Sequence, residues 1–332
     1  MAKVYVRDLV CGQKAQALFV LAKKDLRKTK NGDPYLLVTL ADKTGTISGN
    51  MWWAAGVEQL WDTLGQGDLV DVKVAVEEYK GQKQVKIEDI SCYNGLYDAG
   101  DFIASVENRK ALLEELRRII STVKTSYLFK LLQLYFDDPV FVEGFSTAPA
   151  AKNWHDNKIG GLLKHTLNLT KICISVANQY PDFSIDRDLL IAAAILHDSG
   201  KIREYSTEGV SIGKTTEGLL VGHTNIALLD VAKKIDTIAD FPKGNRDHLL
   251  HLIISHHGQY EFGAAVLPAT VEAAILHSAD VLESMMVGIA QQRETSKEEW
   301  VYSKVLNRYL YLGNVLVEEE ESTGGVGQGL LI

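Results

Sequence analysis

Leu189-Leu190-Ile191-Ala192-Ala193-Ala194-Ile195-Leu196-His197-Asp198-Ser199-Gly200-Lys201 is an unbroken apolar run that ends in an imidazole, a carboxylate, a glycine and an ammonium. With its flanks the run predicts a helix from Asp188 to His197. Neighbouring residues on a helix point about 100° apart. At a helix end, however, His197 and Asp198 can still converge on one ion beside the axis. Further ligands must then come from separate helices, as in imidazole and carboxylate sites built inside helix bundles.

Such ligands are present on both sides. Eight of the nine histidines fall between His165 and His277, and the ninth is His155. His165, His223, His256 and Asp280 each sit on or next to a predicted helix, on four different segments. Taken singly, His248, His251 and His277 read as hydrogen-bonded core residues, and an isolated His-Asp dipeptide is weak evidence. The ordered set His165, His197-Asp198, His223, His256-His257 and Asp280, within 116 residues, is much harder to dismiss. Imidazole with carboxylate and no thiolate favours Mn²⁺, Fe²⁺, Co²⁺, Ni²⁺ or Zn²⁺ over Ca²⁺. Water on such an ion loses its proton near neutral pH and becomes a nucleophile. Asp198, with two oxygens, can bridge two ions. Lys201, one turn beyond His197, can neutralise a substrate phosphate.

Helical spacing begins near residue 105: Leu112, Leu113, Leu116, Ile119 and Ile120, then Leu162, Leu163, Leu167 and Leu169, then Leu249, Leu252 and Ile253. Further helices are expected at His223 to Ile235, Val271 to Ile289 and Glu298 to Leu312. The first 95 residues instead read as strands at Ala15 to Lys23, Tyr35 to Ala41, Thr46 to Trp52, Leu69 to Val76 and Gln84 to Ser91, separated by turn signals such as Asn31-Gly32-Asp33-Pro34. A helical stretch, Ala54 to Leu64, follows the third. Five strands with a helix after the third is the order of an OB-fold barrel; another small barrel or sandwich is the alternative. The fold class is therefore α+β multidomain: a five-stranded OB-fold barrel over 1–95, a linker over 96–110, an all-α bundle over 111–317 and a loose tail over 318–332. That tail opens with four glutamates and turns Gly-rich.

With 332 residues, 46% apolar and 23% charged, the chain has the make-up of an ordinary globular protein of about two domains. No apolar run approaches the roughly 18 residues of a membrane span, and the start lacks the apolar stretch of a secretory signal. Cys11, Cys92 and Cys173 are too few and too scattered for a disulfide framework, so a reduced cytoplasm is the expected compartment. The net charge of −8 is unevenly split. Residues 1–95 hold 13 Lys+Arg against 12 Asp+Glu, and the remainder 22 against 31, which leaves room for a nucleic-acid surface on the first part.

OB barrels hold single strands by stacking bases on aromatics beside a basic groove. Lys24, Arg27, Lys28 and Lys30 with Tyr35 and Trp52 are the candidate contacts, and Trp53 and Tyr79 are further platforms. For the basic residues the alternative is ordinary solvated surface.

The order His165, His197-Asp198, Asp280 matches the HD superfamily of metal-dependent phosphohydrolases. Longer stretches resemble one branch, the YhaM family of bacterial 3′-to-5′ exoribonucleases: Ala148-Pro149-Ala150-Ala151-Lys152, Ile159-Gly160-Gly161-Leu162-Leu163-Lys164-His165-Thr166, Ile254-Ser255-His256-His257-Gly258, Glu261-Phe262-Gly263 and Leu276-His277-Ser278-Ala279-Asp280. Lys24-Asp25-Leu26-Arg27, Asp42-Lys43-Thr44-Gly45 and Met51-Trp52 resemble its OB-fold module. The resemblance implies Mn²⁺-dependent release of nucleoside 5′-monophosphates from the 3′ end of single-stranded RNA, and of DNA in some members, by a metal-activated hydroxide. It implies one ion on His165, His197, Asp198 and Asp280, and a second completed by His223 and His256 with Asp198 bridging. His257 is then a ligand or a phosphate contact. The chain departs from the family at Trp154-His155, where a His pair is common, at Lys164, where Glu is usual, and at Val281 and Glu283. The other readings are an HD phosphodiesterase or nucleotidase acting on small nucleotides, and a non-catalytic single-strand-binding protein.

Overall fold

The computed structural model describes residues 3–52, 57–79, 81–152, 156–207, 209–296 and 298–313. Trp53, Trp154, His155 and the tail 318–332 lie outside the described residues. The chain divides into two compact units, Met1–Gly288 and Ile289–Ile332.

The first unit opens with a barrel. Its strands are Lys14–Lys28 (β1), Pro34–Asp42 (β2), Gly45–Met51 (β3), Leu69–Tyr79 (β4) and Gln82–Cys92 (β5), with the helix Val57–Thr63 (α1) between β3 and β4. The strands close in the order β1-β2-β3-β5-β4, and β3 meets β5 in parallel. This is the OB topology expected from the strand order. Period-two patterning drives it: Leu36, Val38 and Leu40 of β2 point inward and are buried with Phe19, Leu21, Val70, Val72 and Val85. Tyr35 and Leu37 take the other face.

The expected connector is pinned at both ends. Buried Asp101 accepts from the Tyr5 hydroxyl at 2.7 Å and from Lys43 at 3.2 Å, and also pairs with Lys3. A few residues later the Ile159 amide donates to the Ala104 carbonyl at 2.8 Å, and the Val106 amide to the Ile159 carbonyl at 2.9 Å.

The helices that follow are Arg109–Ile120 (α2), Ser126–Phe136 (α3), Pro139–Thr147 (α4), Gly161–Gln179 (α5), Arg187–Leu196 (α6), Lys201–Glu204 (α7), Thr216–Leu220 (α8), His223–Ile235 (α9), Lys243–Ser255 (α10) and Val271–Thr295 (α11). At the centre lies α6. The Asp186 side chain caps it by accepting from the Leu189 amide at 2.9 Å, and every residue from Leu189 to Leu196 is at most 1% exposed. A helix apolar on all sides has no solvent face to offer and must be wrapped by others. Here α2, α3, α5, α9 and α10 all contribute side chains to the same core. By length and composition α11 could cross a bilayer, yet it carries Glu272, Asp280 and Glu283, and the last two contact His165 of α5.

Two short hairpins interrupt the expected all-helical region. Tyr205–Ser206 (β6) pairs with Gly213–Lys214 (β7), and Val210 between them is buried against Val20 and Leu69 of the barrel. In the second unit the expected helix Glu298–Leu312 is instead a hairpin of Trp300–Ser303 (β8) and Arg308–Tyr311 (β9). Cross-strand aromatic pairs favour this arrangement: Trp300 with Tyr311 at 5.0 Å and Tyr302 with Tyr309 at 5.1 Å between ring centres. Asn307, at φ 49°, supplies the left-handed turn residue.

Candidate metal centre

Two histidines are presented by the same local device. Where α6 ends, the His197 Nδ1 donates to the Ala194 carbonyl three residues back, at 2.8 Å. Where α10 ends, the His256 Nδ1 donates to the Ile253 carbonyl at 2.6 Å. Each bond satisfies a last-turn carbonyl of the helix and fixes the tautomer, leaving the Nε2 lone pair aimed away from the helix. His165, on the second turn of α5, has its Nδ1 2.6 Å from Glu283 and its Nε2 3.3 Å from Asp280. His223 begins α9, with its Nδ1 2.8 Å from Glu204 and its Nε2 3.4 Å from Asp198 Oδ1. His257 turns its Nδ1 to the Phe262 carbonyl at 2.7 Å and its Nε2 to within 3.3 Å of the His223 Nε2.

Asp198 stands between two groups of candidate ligands. Its Oδ2 lies 3.6 Å from His165 and 3.2 Å from His197. Its Oδ1 lies 3.4 Å from His223 and 3.7 Å from His256. Ligand atoms of His165, His197 and Asp280 fall within 4.8 Å of one another, as do those of His197, Asp198 and His256, and those of His223, His256 and His257. The His197 Nε2 and the Asp198 Oδ1 are buried without a hydrogen-bond partner. Buried polar atoms are rarely left so, and a divalent cation among these nitrogens and oxygens would satisfy both. The donor set therefore fits a metal.

The electrostatics agree. Burial pulls the His165 imidazole down, but Asp280 and Glu283 outweigh it and hold it up at about 10. Burial opposes ionisation of Asp280, yet His165 keeps that carboxyl well below the usual range. Asp198 behaves likewise, with Lys201 and His197 overcoming its desolvation. Burial, helped by His197 and His257, holds His256 well below the ordinary imidazole value. Burial and then His223 lower His257. One half of the cluster therefore demands positive charge, and the other half keeps neutral rings with available lone pairs.

On the barrel, Arg27 pairs in register with Tyr35, and Tyr35 stacks on Trp52 with ring centres 5.0 Å apart. Trp52 is 47% exposed, so these three residues form a row across β1, β2 and the end of β3.

The model of the HD domain matches residues 162–285, the span that holds every candidate ligand named above. A 3′-5′ exoribonuclease YhaM of Listeria monocytogenes serotype 4b (strain CLIP80459) is 33% identical over 278 residues, which cover 81% of this chain and 85% of that protein. The chain belongs to the YhaM family. A YhaM of Bacillus velezensis is 29% identical over 289 residues, 86% of this chain and 90% of that protein. Among solved structures, the second OB-fold domain of replication protein A from Methanococcus maripaludis matches 29% of this chain and 100% of its own, at 17% identity and a TM-score of 0.24. The OB assignment rests on the barrel's own strand order.

Several residues of this YhaM-family chain take roles the sequence did not suggest. Lys201 is buried, and its Nζ sits 2.6 Å from Asp198 Oδ2, so its charge also holds that carboxylate. Lys24, expected on the nucleic-acid face, donates to the Trp61 and Leu64 carbonyls and lies over the Trp61 ring, where it caps the α1 end. Arg27 is paired with Asp25 at 3.3 Å, while Lys28 and Lys30 stand exposed. Lys164, one of the departures from the family pattern, pairs with the fully buried Asp156 at 3.0 Å, so its charge is spent there.

Glu204 and Glu283 escaped the sequence reading as functional groups. Each grips the outward nitrogen of a histidine, His223 and His165 respectively, and Glu204 also binds Lys214 at 2.8 Å. The available signal was a buried-side carboxylate in segments already holding ligands. Partners of this kind orient the ring, and their loss lowers metal affinity by about 10- to 100-fold. Glu283→Ala and Glu204→Ala are each expected to do so in metal titrations followed by calorimetry, whereas Glu143→Ala, on the surface of α4, is expected to change nothing.

Proposed function

We propose that the chain is a divalent-metal-dependent 3′-to-5′ exoribonuclease that grips single-stranded RNA on its barrel and hydrolyses the terminal phosphodiester at the histidine cluster, releasing nucleoside 5′-monophosphates. The observation that carries this reading is Asp198, whose two oxygens face two separate sets of imidazoles. His165, His197, Asp198 and Asp280 would hold one cation, with His223, His256 and His257 around a second that shares Asp198. Mn²⁺ is the ion we favour, with Fe²⁺, Co²⁺, Ni²⁺ and Zn²⁺ accepted by the same donors. The bound metal supplies Lewis-acid polarisation and a water of lowered pKa.

The chain's own groups do the rest. Lys201 keeps Asp198 ionised and oriented. The carbonyls behind His197 and His256 hold their Nδ1–H groups, so each ring turns its Nε2 toward the cluster. The partly exposed side of the cluster, at His223, His257 and Asp280, admits the terminal phosphate. Arg27, Tyr35, Trp52, Lys28 and Lys30 hold upstream nucleotides, each stacked base contributing about 1–3 kcal/mol. Domain limits of 1–95 for the barrel and 111–317 for the HD region belong to this proposal. So does the cytoplasm as compartment, which suits three free cysteines.

Single-stranded RNA labelled at its 5′ end, incubated with Mn²⁺, is expected to give a ladder that shortens stepwise from the 3′ end. Intact RNA, alongside hydrolysis of cyclic or mononucleotides, would overturn the reading in favour of a small-nucleotide enzyme. The same assay on DNA measures sugar preference.

Metal loading must also displace the proton that Asp280 and Glu283 hold on His165. Because its folded value is raised to about 10, the proton's stabilising effect in metal-free protein is complete below the unfolded value near 6.5 and fades as pH rises through about 10. Metal binding at pH 8 is therefore expected to release about one proton from this site, measured by calorimetry in buffers of different ionisation enthalpy. Metal affinity should rise with pH over that window. No proton release would mean that His165 is already neutral in the metal-free protein.

A further inference from the structure

The cluster is sealed on one side and open on the other. His165 and His197 side chains are fully buried, while those of His223 and Asp280 are 15% and 19% exposed. Immediately after His257, on the open side, the chain makes a short 3₁₀ turn over Tyr260–Phe262 between Gly258 and Gly263, both at positive φ. The turn is held firmly. The Phe262 carbonyl accepts from the His257 Nδ1 at 2.7 Å, and the Ala264 and Ala265 amides donate to the Gln259 and Ile254 carbonyls, each at 3.1 Å. Yet Tyr260 and Phe262 are each 63% exposed.

Two large rings left in water beside a catalytic opening forgo the gain of burial. A backbone pinned this way holds the two ring-bearing positions next to His257. The turn carries Glu261 and no cation, so it is poorly suited to phosphate and well suited to the uncharged faces of bases. We propose that Tyr260 and Phe262 form a stacking lip for the bases at the 3′ end of the strand, aligning the terminal phosphodiester with the cluster. The inference deepens the exoribonuclease reading and rests on it. Stacking accepts every base, which is what an enzyme that removes successive nucleotides needs. Tyr260 and Phe262 would then act on positioning, through KM, and not on the chemical step.

The test compares wild type, the double variant Tyr260→Leu/Phe262→Leu and Tyr260→Trp, all as Mn²⁺-loaded full chain. Substrates are single-stranded RNA with a natural 3′ end, the same RNA with two abasic 3′-terminal nucleotides, and the base-free ester methyl p-nitrophenyl phosphate. The expected result is a KM raised about tenfold in the double variant on natural RNA, with kcat and small-ester hydrolysis within about twofold of wild type. Wild type on abasic ends should show the same rise, and Tyr260→Trp should keep the wild-type KM. An unchanged KM in the double variant, or indifference of the wild type to abasic ends, would overturn the lip while leaving the exoribonuclease reading intact. A parallel fall in small-ester hydrolysis would also overturn it, by showing that the rings merely support His257. So would a wild-type dimer that the Leu variants dissociate, which would make the rings a contact between copies of the chain. Failure of the wild type to shorten any RNA would remove both readings together.

Discussion

Asp198→Asn is expected to lower turnover on single-stranded RNA by on the order of 10³-fold, because it removes a charge shared by both halves of the metal cluster. No other described side chain touches four of the imidazoles: His165, His197, His223 and His256 all lie within 3.7 Å of its oxygens. An amide keeps the shape but can offer only one oxygen, and its NH₂ would face imidazole lone pairs that need a cation. The substitution also leaves the Lys201 ammonium buried without its counter-charge, and breaking a buried pair costs about 3–5 kcal/mol. The variant is therefore expected to melt earlier as well, and turnover is to be compared below its unfolding transition. Metal content per folded chain, measured by mass spectrometry, should drop in step with activity. Full metal content with lost activity would move Asp198 from ligand to proton acceptor.

The second large effect is expected at Gly200. A Cβ there would stand 2.0 Å from the His223 carbonyl oxygen, 2.8 Å from its carbon and 2.9 Å from the Ala227 nitrogen. The obstacle is the backbone of α9, which cannot swing aside as a flexible side chain would. The turn after His197-Asp198 packs directly on the helix that starts with His223, and glycine is what permits the approach. Gly200→Ala must push the two apart, at a cost of about 3 kcal/mol or more. The displacement falls on His223, so metal bound near it should be lost before metal bound at His165. Thermal melting together with metal stoichiometry reads both effects. An unchanged melting temperature would mean that α9 shifts freely, contrary to this packing.

Much of this was written locally in the chain. The barrel strands alternate cleanly because one face of each is buried, and period two is visible residue by residue. The helix ending at His197 is legible because eight consecutive apolar residues leave it no solvent face. Of the candidate ligands, His197, His223 and His256 sit at helix ends that local signals mark, whereas Asp280 lies midway along α11.

What escaped depends on contacts between distant segments. Glu283 reaches His165 across 118 residues of sequence, and its place three residues after Asp280 is the one local hint that it is more than a surface carboxylate of α11. Lys24 reads as one of a basic group, but the carbonyls it caps lie 37 and 40 residues away. A helix is expected over Glu298 to Leu312, where the structure has the hairpin Trp300–Tyr311. What decides it is cross-strand aromatic pairing, which a periodicity count cannot see. Lys201, read from the sequence as a phosphate contact, also pairs with Asp198 Oδ2 at i,i+3 spacing, a partner that its position alone did not single out.

The most direct test of the central claim is to soak crystals of the full chain in Mn²⁺ and locate the ions by anomalous scattering. The account predicts a peak between His165, His197, Asp198 and Asp280, and a second beside His223, His256 and His257, with Asp198 touching both. Peaks only elsewhere on the protein, or none at this cluster, would contradict it.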